Sequence, residues 1–312
     1  MKKLSTRIAA VTAATLAVLA AGVMIHRGGD AATATSATPE TPCVGAPAPT
    51  GYSHVVVIVE ENHSFGQVQN QGPYETQLAK SCGLASAMYG ETYPSLPNYM
   101  AMTGGGIPSG IAGHDCTPGG TCTSSTASIF SQAASWKVYA ESMPSNCSKK
   151  NTSNGLYVPR HTAAPYYTTL AGCATNDVPL GTTSSGAFQA DLASGKLAQF
   201  SFVVPNTTND AHGGCLSCAD KWLSTWVPRI VSSPAYQNGS TAIFITYDTD
   251  AKNARNQVYT AVVAPSVKPG TVVSTRYDHY AMLRTIEDLL GLSGHLGAAA
   301  SAPSMATAFH LS

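Results

Sequence analysis

The chain has 312 residues, a formal net charge of zero and only 11% charged residues, where an average soluble domain carries roughly a quarter. That length suits one large domain or two small ones, and a single α/β domain of this size buries a large core. With no basic stripe and no RNA- or DNA-binding motif, the composition argues against a nucleic-acid partner.

Lys2, Lys3 and Arg7 precede an apolar run from Ile8 to Ile25, the charged and hydrophobic regions of a secretory signal. The run is long for a cleaved signal and close to the about 20 residues that span a bilayer. Residues 1–27 therefore read as a signal peptide or as an N-terminal anchor, with membrane anchoring through residues 8–25. Residues 28–50, rich in Ala, Thr, Pro and Gly, read as a mobile linker, and 51–312 as the folded domain. On either reading that domain is secreted or extracytoplasmic. Eight cysteines agree, because an even count in an exported chain implies disulfides. Short loops close most readily, which favours neighbour pairing: 43–82, 116–122, 147–173 and 215–218. Cys215-Leu-Ser-Cys218 on its own is weak evidence for zinc.

After the linker, strand and helix signals alternate. Val55–Val59 reads as a strand buried on both faces. Thr76–Ala87 reads as a helix and Trp136–Ala140 as a short strand. Gln199–Val204 is a strand ended by Pro205, Thr241–Tyr247 another, and Tyr259–Ala264 a further one stopped by Pro265. His279–Leu290 places Met282, Leu283, Ile286, Leu289 and Leu290 on one helical face, closed by Gly291. This alternation predicts an α/β/α sandwich with a mainly parallel central sheet. Residues 103–127 and 145–187, turn-rich and cysteine-stapled, read as loops or a small cap over the carboxyl edge of the sheet.

Ligands of open α/β sheets bind at that edge, and three strands end there in polar clusters. They are Glu60-Glu61-Asn62, the stretch Asn206 to His212 with Asn209 and Asp210, and Tyr247-Asp248-Thr249-Asp250. His279 opens the last helix. Singly, each has a structural reading as a turn or cap residue. Gathered at one edge, carboxylates and imidazoles are what a divalent cation needs. Ser95, between Pro94 and Leu96-Pro97 ahead of a helical segment, places a hydroxyl near a helix N-terminus, where an anion is favoured. The competing reading is that Ser95 or Asn98 only caps that helix. There is no Gly-x-Ser-x-Gly elbow and no P-loop.

At these residues the chain resembles the bacterial phosphoesterase family, which contains secreted acid phosphatases and phosphocholine-specific phospholipases C within the alkaline phosphatase superfamily. The similarity runs from His54 to Phe309. Its carriers are residues 54–65, Tyr-Pro-Ser-Leu-Pro-Asn-Tyr (93–99), residues 202–212, 219–223, 256–258 and 275–288. The resemblance implies an alkaline phosphatase-like fold and hydrolysis of phosphate monoesters through a phosphoserine intermediate. It implies Ser95 as nucleophile, and Glu61 and Asn62 as a pair contacting metal and phosphate. Asp210 and His212 are implied as a metal-binding pair, Asp248 as a metal ligand, and His279 as the last metal-binding or phosphate-facing histidine. Arg160 and His161 are implied to face the phosphate. His212 and His279 are the candidates to assist proton transfer. The implied cofactor is a divalent metal ion at one or two sites, and the implied substrate a small-molecule or lipid phosphate ester. One departure stands out: members read Trp-Asp-Glu where this chain has Tyr247-Asp248-Thr249, which removes a carboxylate that Asp250 is placed to replace. Two alternatives remain, a phospholipase C-type phosphodiesterase and a non-catalytic exported binding protein on a phosphatase scaffold.

Overall fold

The computed structural model describes residues 41–312; the readings placed on residues 1–27, and on 28–40 of the linker, lie outside the described residues. The strands are β1 (His54–Glu60), β2 (Gly83–Tyr89), β3 (Trp136–Ala140), β4 (Asp177–Pro179), β5 (Phe200–Val204), β6 (Thr241–Tyr247), β7 (Gln257–Val263), β8 (Thr271–Val273) and β9 (Tyr277–Asp278). They form one sheet in the order β4-β3-β5-β1-β6-β7-β2-β8, with β9 also paired to β2. All run the same way except β7, which is antiparallel to β6 and to β2.

The β-branched run of β1 explains its central place. Its valines and Ile58 are buried, as a strand covered on both faces requires, and burying each contributes about 1.5–3 kcal/mol. Truncating Ile58 to Ala would cost about 2–5 kcal/mol. One group of helices, Phe65–Gln71, Pro73–Ser81 and Leu216–Val231, packs together; Ser95–Gly104 packs against His279–Leu289. The Phe65 helix starts at a capping box in which Ser64 and Gln67 exchange bonds. Asp278 caps the His279 helix by accepting from Ala281 N–H at 2.8 Å, and Gly291 follows it at φ +61°, a conformation glycine adopts without strain.

The helix expected over Thr76–Ala87 is two elements. A helix ends at Ser81, and β2 begins at Gly83. The small residues of Leu84-Ala-Ser-Ala suit either state, so tertiary packing decides. At Gly83 an added Cβ would lie 2.8 Å from the Phe309 ring, which fixes glycine where the strand enters the sheet. The linker reading also fails where it can be checked. Cys43 is buried, and Val44 and Gly45 donate to the carbonyls of Pro265 and Val267. The short strands β4, β8 and β9 carry no periodic signal of their own. All four disulfides join the neighbouring cysteines expected. No helix among the described residues is long and apolar enough to cross a membrane.

Candidate active site

β1 lies between β5 and β6, so the carboxyl ends of these three strands converge. Backbone bonds lace them together: Glu61 N–H donates to Asp210 O at 2.7 Å, and Asp248 N–H to Glu60 O at 3.1 Å. Asn62 N–H donates to Asp248 Oδ1 at 3.2 Å. The three polar clusters read along the chain thus form one group in space.

Ser95 is the first residue of its helix, and its side chain does not cap it. The hydroxyl donates instead to Glu61 Oε2 at 2.8 Å and lies 3.5 Å from Asn62 Oδ1. Asn98 holds the entry to this helix: its Oδ1 accepts from the N–H groups of Glu91 and Thr92, and its Nδ2 donates to the carbonyls of Thr92 and Pro94. Tyr99, one turn on from Ser95, donates to Glu61 Oε1 at 2.7 Å and stacks on the His161 ring at 5.4 Å. Sequence patterning gave Tyr99 no role, since a buried helical tyrosine reads as core.

The segment after Val158 brings Arg160 and His161 to this edge. His161 is 1% exposed; its Nε2 is 3.1 Å from Glu61 Oε1 and its Nδ1 3.2 Å from Asp210 Oδ2. Neither contact has hydrogen-bond geometry, so His161 Nε2 and Asp210 Oδ2 are buried without a partner, as is Asp248 Oδ2. Arg160 Nη2 donates to His212 Nε2 at 3.2 Å, and the rings of His161 and His212 lie 5.5 Å apart. One ligand atom from each of Glu61, His161 and His212 falls within 4.8 Å of the others.

Burial dominates the electrostatics. It pushes the Glu61 carboxyl well above the usual range, with Asp248 and Asp210 adding repulsion, while bonds from Tyr99 and Ser95 oppose the shift. Asp210 is also raised by burial, partly offset by the His212 N–H. Asp248 is pushed up to about 7 by burial. His161 is held well below its ordinary value by burial and then by the nearby Arg160 and His212; His212 is lowered by the same two kinds of cause, burial and Arg160. A neutral imidazole has one N–H, so His161 cannot donate to both carboxylates it touches. No Lys or Arg among the described residues forms an ion pair with Glu61, Asp210 or Asp248. Carboxyls buried together without a counter-ion are costly to ionise, and the converging ligand atoms of Glu61, His161 and His212, with Asp210 and Asp248 beside them, fit a divalent cation.

Three non-glycine residues here have positive φ: Asn62 at 52°, Ala163 at 56° and Ala211 at 71°. Such strain gathers at functional sites. Ala211 lies between Asp210 and His212, in a turn where His212 N–H donates to Asp210 Oδ1 at 2.7 Å.

Two expected members stand apart. His279 is fully buried behind Asp248, its Nε2 2.7 Å from the Asp248 carbonyl, and so braces the main chain. Asp250 does not replace the missing carboxylate. Its oxygens accept from Tyr93 OH and from the N–H groups of Lys252, Ala254 and Asn256, which organises its own loop. Thr249 instead donates to Asn62 Oδ1 at 3.0 Å, orienting that amide. Above the cluster lies an open cleft of about 330 Å³ whose lining includes Asn62, Tyr93, Ser95, Asp115, His212 and Lys252.

The fold is that of the alkaline phosphatase superfamily. A superfamily member from Vibrio parahaemolyticus superposes with a TM-score of 0.57 at 12% identity, covering 86% of this chain and 73% of that one. The lipoteichoic acid synthase of Listeria monocytogenes gives 0.53 at 10% identity, over 82% and 75%. Residues 66–293 match the Phosphoesterase family. A phosphatidylinositol-3-phosphatase of Mycobacterium tuberculosis is 30% identical over 270 residues, 86% of each chain. An acid phosphatase of Aspergillus fumigatus is 28% identical over 226 residues, 69% of this chain and 50% of its own length. The chain thus spans about half the length of the fungal acid phosphatases it matches. The protein belongs to the Phosphoesterase family and is a phosphoric ester hydrolase.

Proposed function

We propose that this protein is an exported acid phosphatase that hydrolyses phosphate monoesters through a phosphoserine intermediate on Ser95. The observation that carries the reading is the Ser95 hydroxyl, at the start of its helix and 2.8 Å from the buried Glu61 carboxylate. Ser95 Oγ attacks phosphorus in line with the leaving alcohol, the bond to that alcohol breaks, and the seryl proton passes to Glu61. The leaving oxygen takes its proton from a water in the cleft, and the hydroxide so formed cleaves the phosphoserine. Glu61 then returns its proton to Ser95. Asn62, oriented by Thr249, and Arg160 bear on the non-bridging oxygens. His161 lies between Glu61 and Asp210, within 3.2 Å of a carboxylate oxygen of each.

Glu61, Asp210, Asp248, His161 and His212 would hold the divalent ion; Asp250 and His279 stand outside that set. Bound there, the ion would stabilise charge on the phosphoryl oxygens and favour ionisation of the attacking hydroxyl. The N-terminal residues would direct export, by a cleaved signal or an anchor, which N-terminal sequencing of the mature protein reads. Phosphatidylinositol 3-phosphate is the first lipid monoester to assay, given the mycobacterial relative.

The test is hydrolysis of p-nitrophenyl phosphate by the wild type and by Ser95→Ala. Loss of about 10³-fold or more is expected for removal of a covalent nucleophile. Equal rates in the two proteins would sink the reading.

A further inference from the structure

The residue before the Cys116–Cys122 disulfide has no part in that mechanism, yet it faces the same cleft. Asp115 Oδ1 accepts the N–H of Leu96 at 2.9 Å, in the first turn of the helix that begins with Ser95. Its Oδ2 lies 3.5 Å from Arg160 Nε, and Arg160 reaches on to His212. A helix-terminal N–H beside the nucleophile and a guanidinium are the donors an incoming phosphoryl group needs. A carboxylate already accepts from the first and stands in ion-pair range of the second, whose Nε has no hydrogen-bond partner. The Asp115 side chain is 29% exposed, so it can leave that position for solvent without carrying a charge into the core. The loop behind it is anchored by the disulfide and by Tyr166 OH donating to Cys116 O at 2.6 Å, so displacement needs only a side-chain rotation.

We propose that Asp115 is a placeholder for the phosphoryl group. Its carboxylate holds the Leu96 N–H and Arg160 until the substrate phosphate displaces it, and reclaims them as inorganic phosphate leaves. The charge on Asp115 thus works against retention of product. No bond is made or broken at this residue; only its two contacts are exchanged.

This inference rests on the phosphatase reading, and the two fail separately. The measurement is the Ki of inorganic phosphate as a competitive inhibitor of p-nitrophenyl phosphate hydrolysis, in the full chain and in Asp115→Asn. The amide keeps an acceptor for Leu96 N–H and loses the charge. Removing a competing anion should lower Ki by about tenfold, with KM falling alongside. Asp115→Ser, shorter and also neutral, gives a second reading should the amide disturb folding. A Ki that is unchanged or raised in both variants, or loss of turnover without tighter phosphate binding, overturns the inference: Asp115 would then be orienting Arg160. If the wild type does not hydrolyse the ester, the phosphatase reading falls. Calorimetric titration of phosphate into wild type and Asp115→Asn would still read the competition, with equal affinities counting against it.

Discussion

Glu60 and Glu61 are consecutive, both fully buried, and both shifted upward by burial, yet they face different company. Glu61 meets a seryl hydroxyl, a tyrosine hydroxyl and an imidazole within 3.1 Å. Neither oxygen of Glu60 has a hydrogen-bond partner, and its charged neighbours are Glu75, Asp210 and Glu141. Across the strand Glu60 pairs with Tyr247, whose hydroxyl donates to Glu75 Oε2 at 3.1 Å. A perturbed carboxyl is therefore not in itself a site. Glu61 is set apart by a nucleophile and proton carriers within reach, while Glu60 lies in the packing beneath with neither.

The contrast can be broken most severely at Glu61. Glu61→Gln should lower kcat/KM by about 10²- to 10⁴-fold, the usual loss for a positioned proton acceptor. It should also lower the divalent metal content that elemental analysis finds in the purified protein. Activity that a chelator removes from the wild type and added metal restores should not be restored in this variant. A Glu61→Gln protein with wild-type metal and rate would remove the distinction.

Glu60→Gln should keep kcat/KM within about threefold and keep its metal, since burial already favours the neutral form of the group it replaces. Its effect should fall on stability. A carboxyl raised in the folded state contributes stability that is complete below its unfolded value and is lost as pH rises through the folded one. Glu60→Gln should therefore unfold at a higher temperature than wild type at about pH 8 and at nearly the same temperature at about pH 4. A large loss of activity would place Glu60 in the chemistry after all.

The smallest effect sharpens the same point. Glu75 is pushed from an ordinary 4.5 to about 8, first by burial, with the Tyr247 bond opposing. By the same sign, its contribution is present below 4.5 and fades up to about 8. The wild-type melting temperature should fall over that window, and Glu75→Gln should flatten the fall by a few degrees, given that about 1 kcal/mol moves Tm roughly 2–4 °C in a domain of this size. An unchanged slope would mean that Glu75 is not a source of it.

The strands that position the site were legible because their signal is local. Val55–Val59 and Thr241–Tyr247 are β-branched or apolar runs that stop at carboxylates, and both end at the cleft. What stayed hidden depends on distant partners. Thr76–Ala87 misled because small residues serve helix and strand alike, and Gly83 is settled by Phe309 from the far end of the chain. Asp250 looked like a ligand because spacing shows which residues are near, not where their lone pairs go. His279 looked like a metal-binding or phosphate-facing histidine because it opens a helix at the same edge, and nothing in the sequence signals that its Nε2 meets the Asp248 main-chain carbonyl. Tyr99 and Asp115 lie in a helical run and a cysteine-stapled turn, contexts in which neither residue type draws attention. The positive φ of Ala211 has no sequence signal, since alanine rarely adopts it.

The reversal of β7 has a consequence for how such a protein can change. Because β6 and β7 are antiparallel neighbours, the chain turns back over the cleft through Thr249–Asn256. That turn is tied by Asp250 to Lys252, Ala254 and Asn256 within itself. Beyond the turn, Asn256 anchors to the Thr92 carbonyl at 3.1 Å and Tyr93 to Asp250. A segment so fastened behaves as an exchangeable cassette. Its ties to Asp250 from within run through the main-chain N–H groups of Lys252 and Ala254, so the side chains of residues 251–255 can be recomposed at the mouth of the cleft without altering the strand ends beneath it.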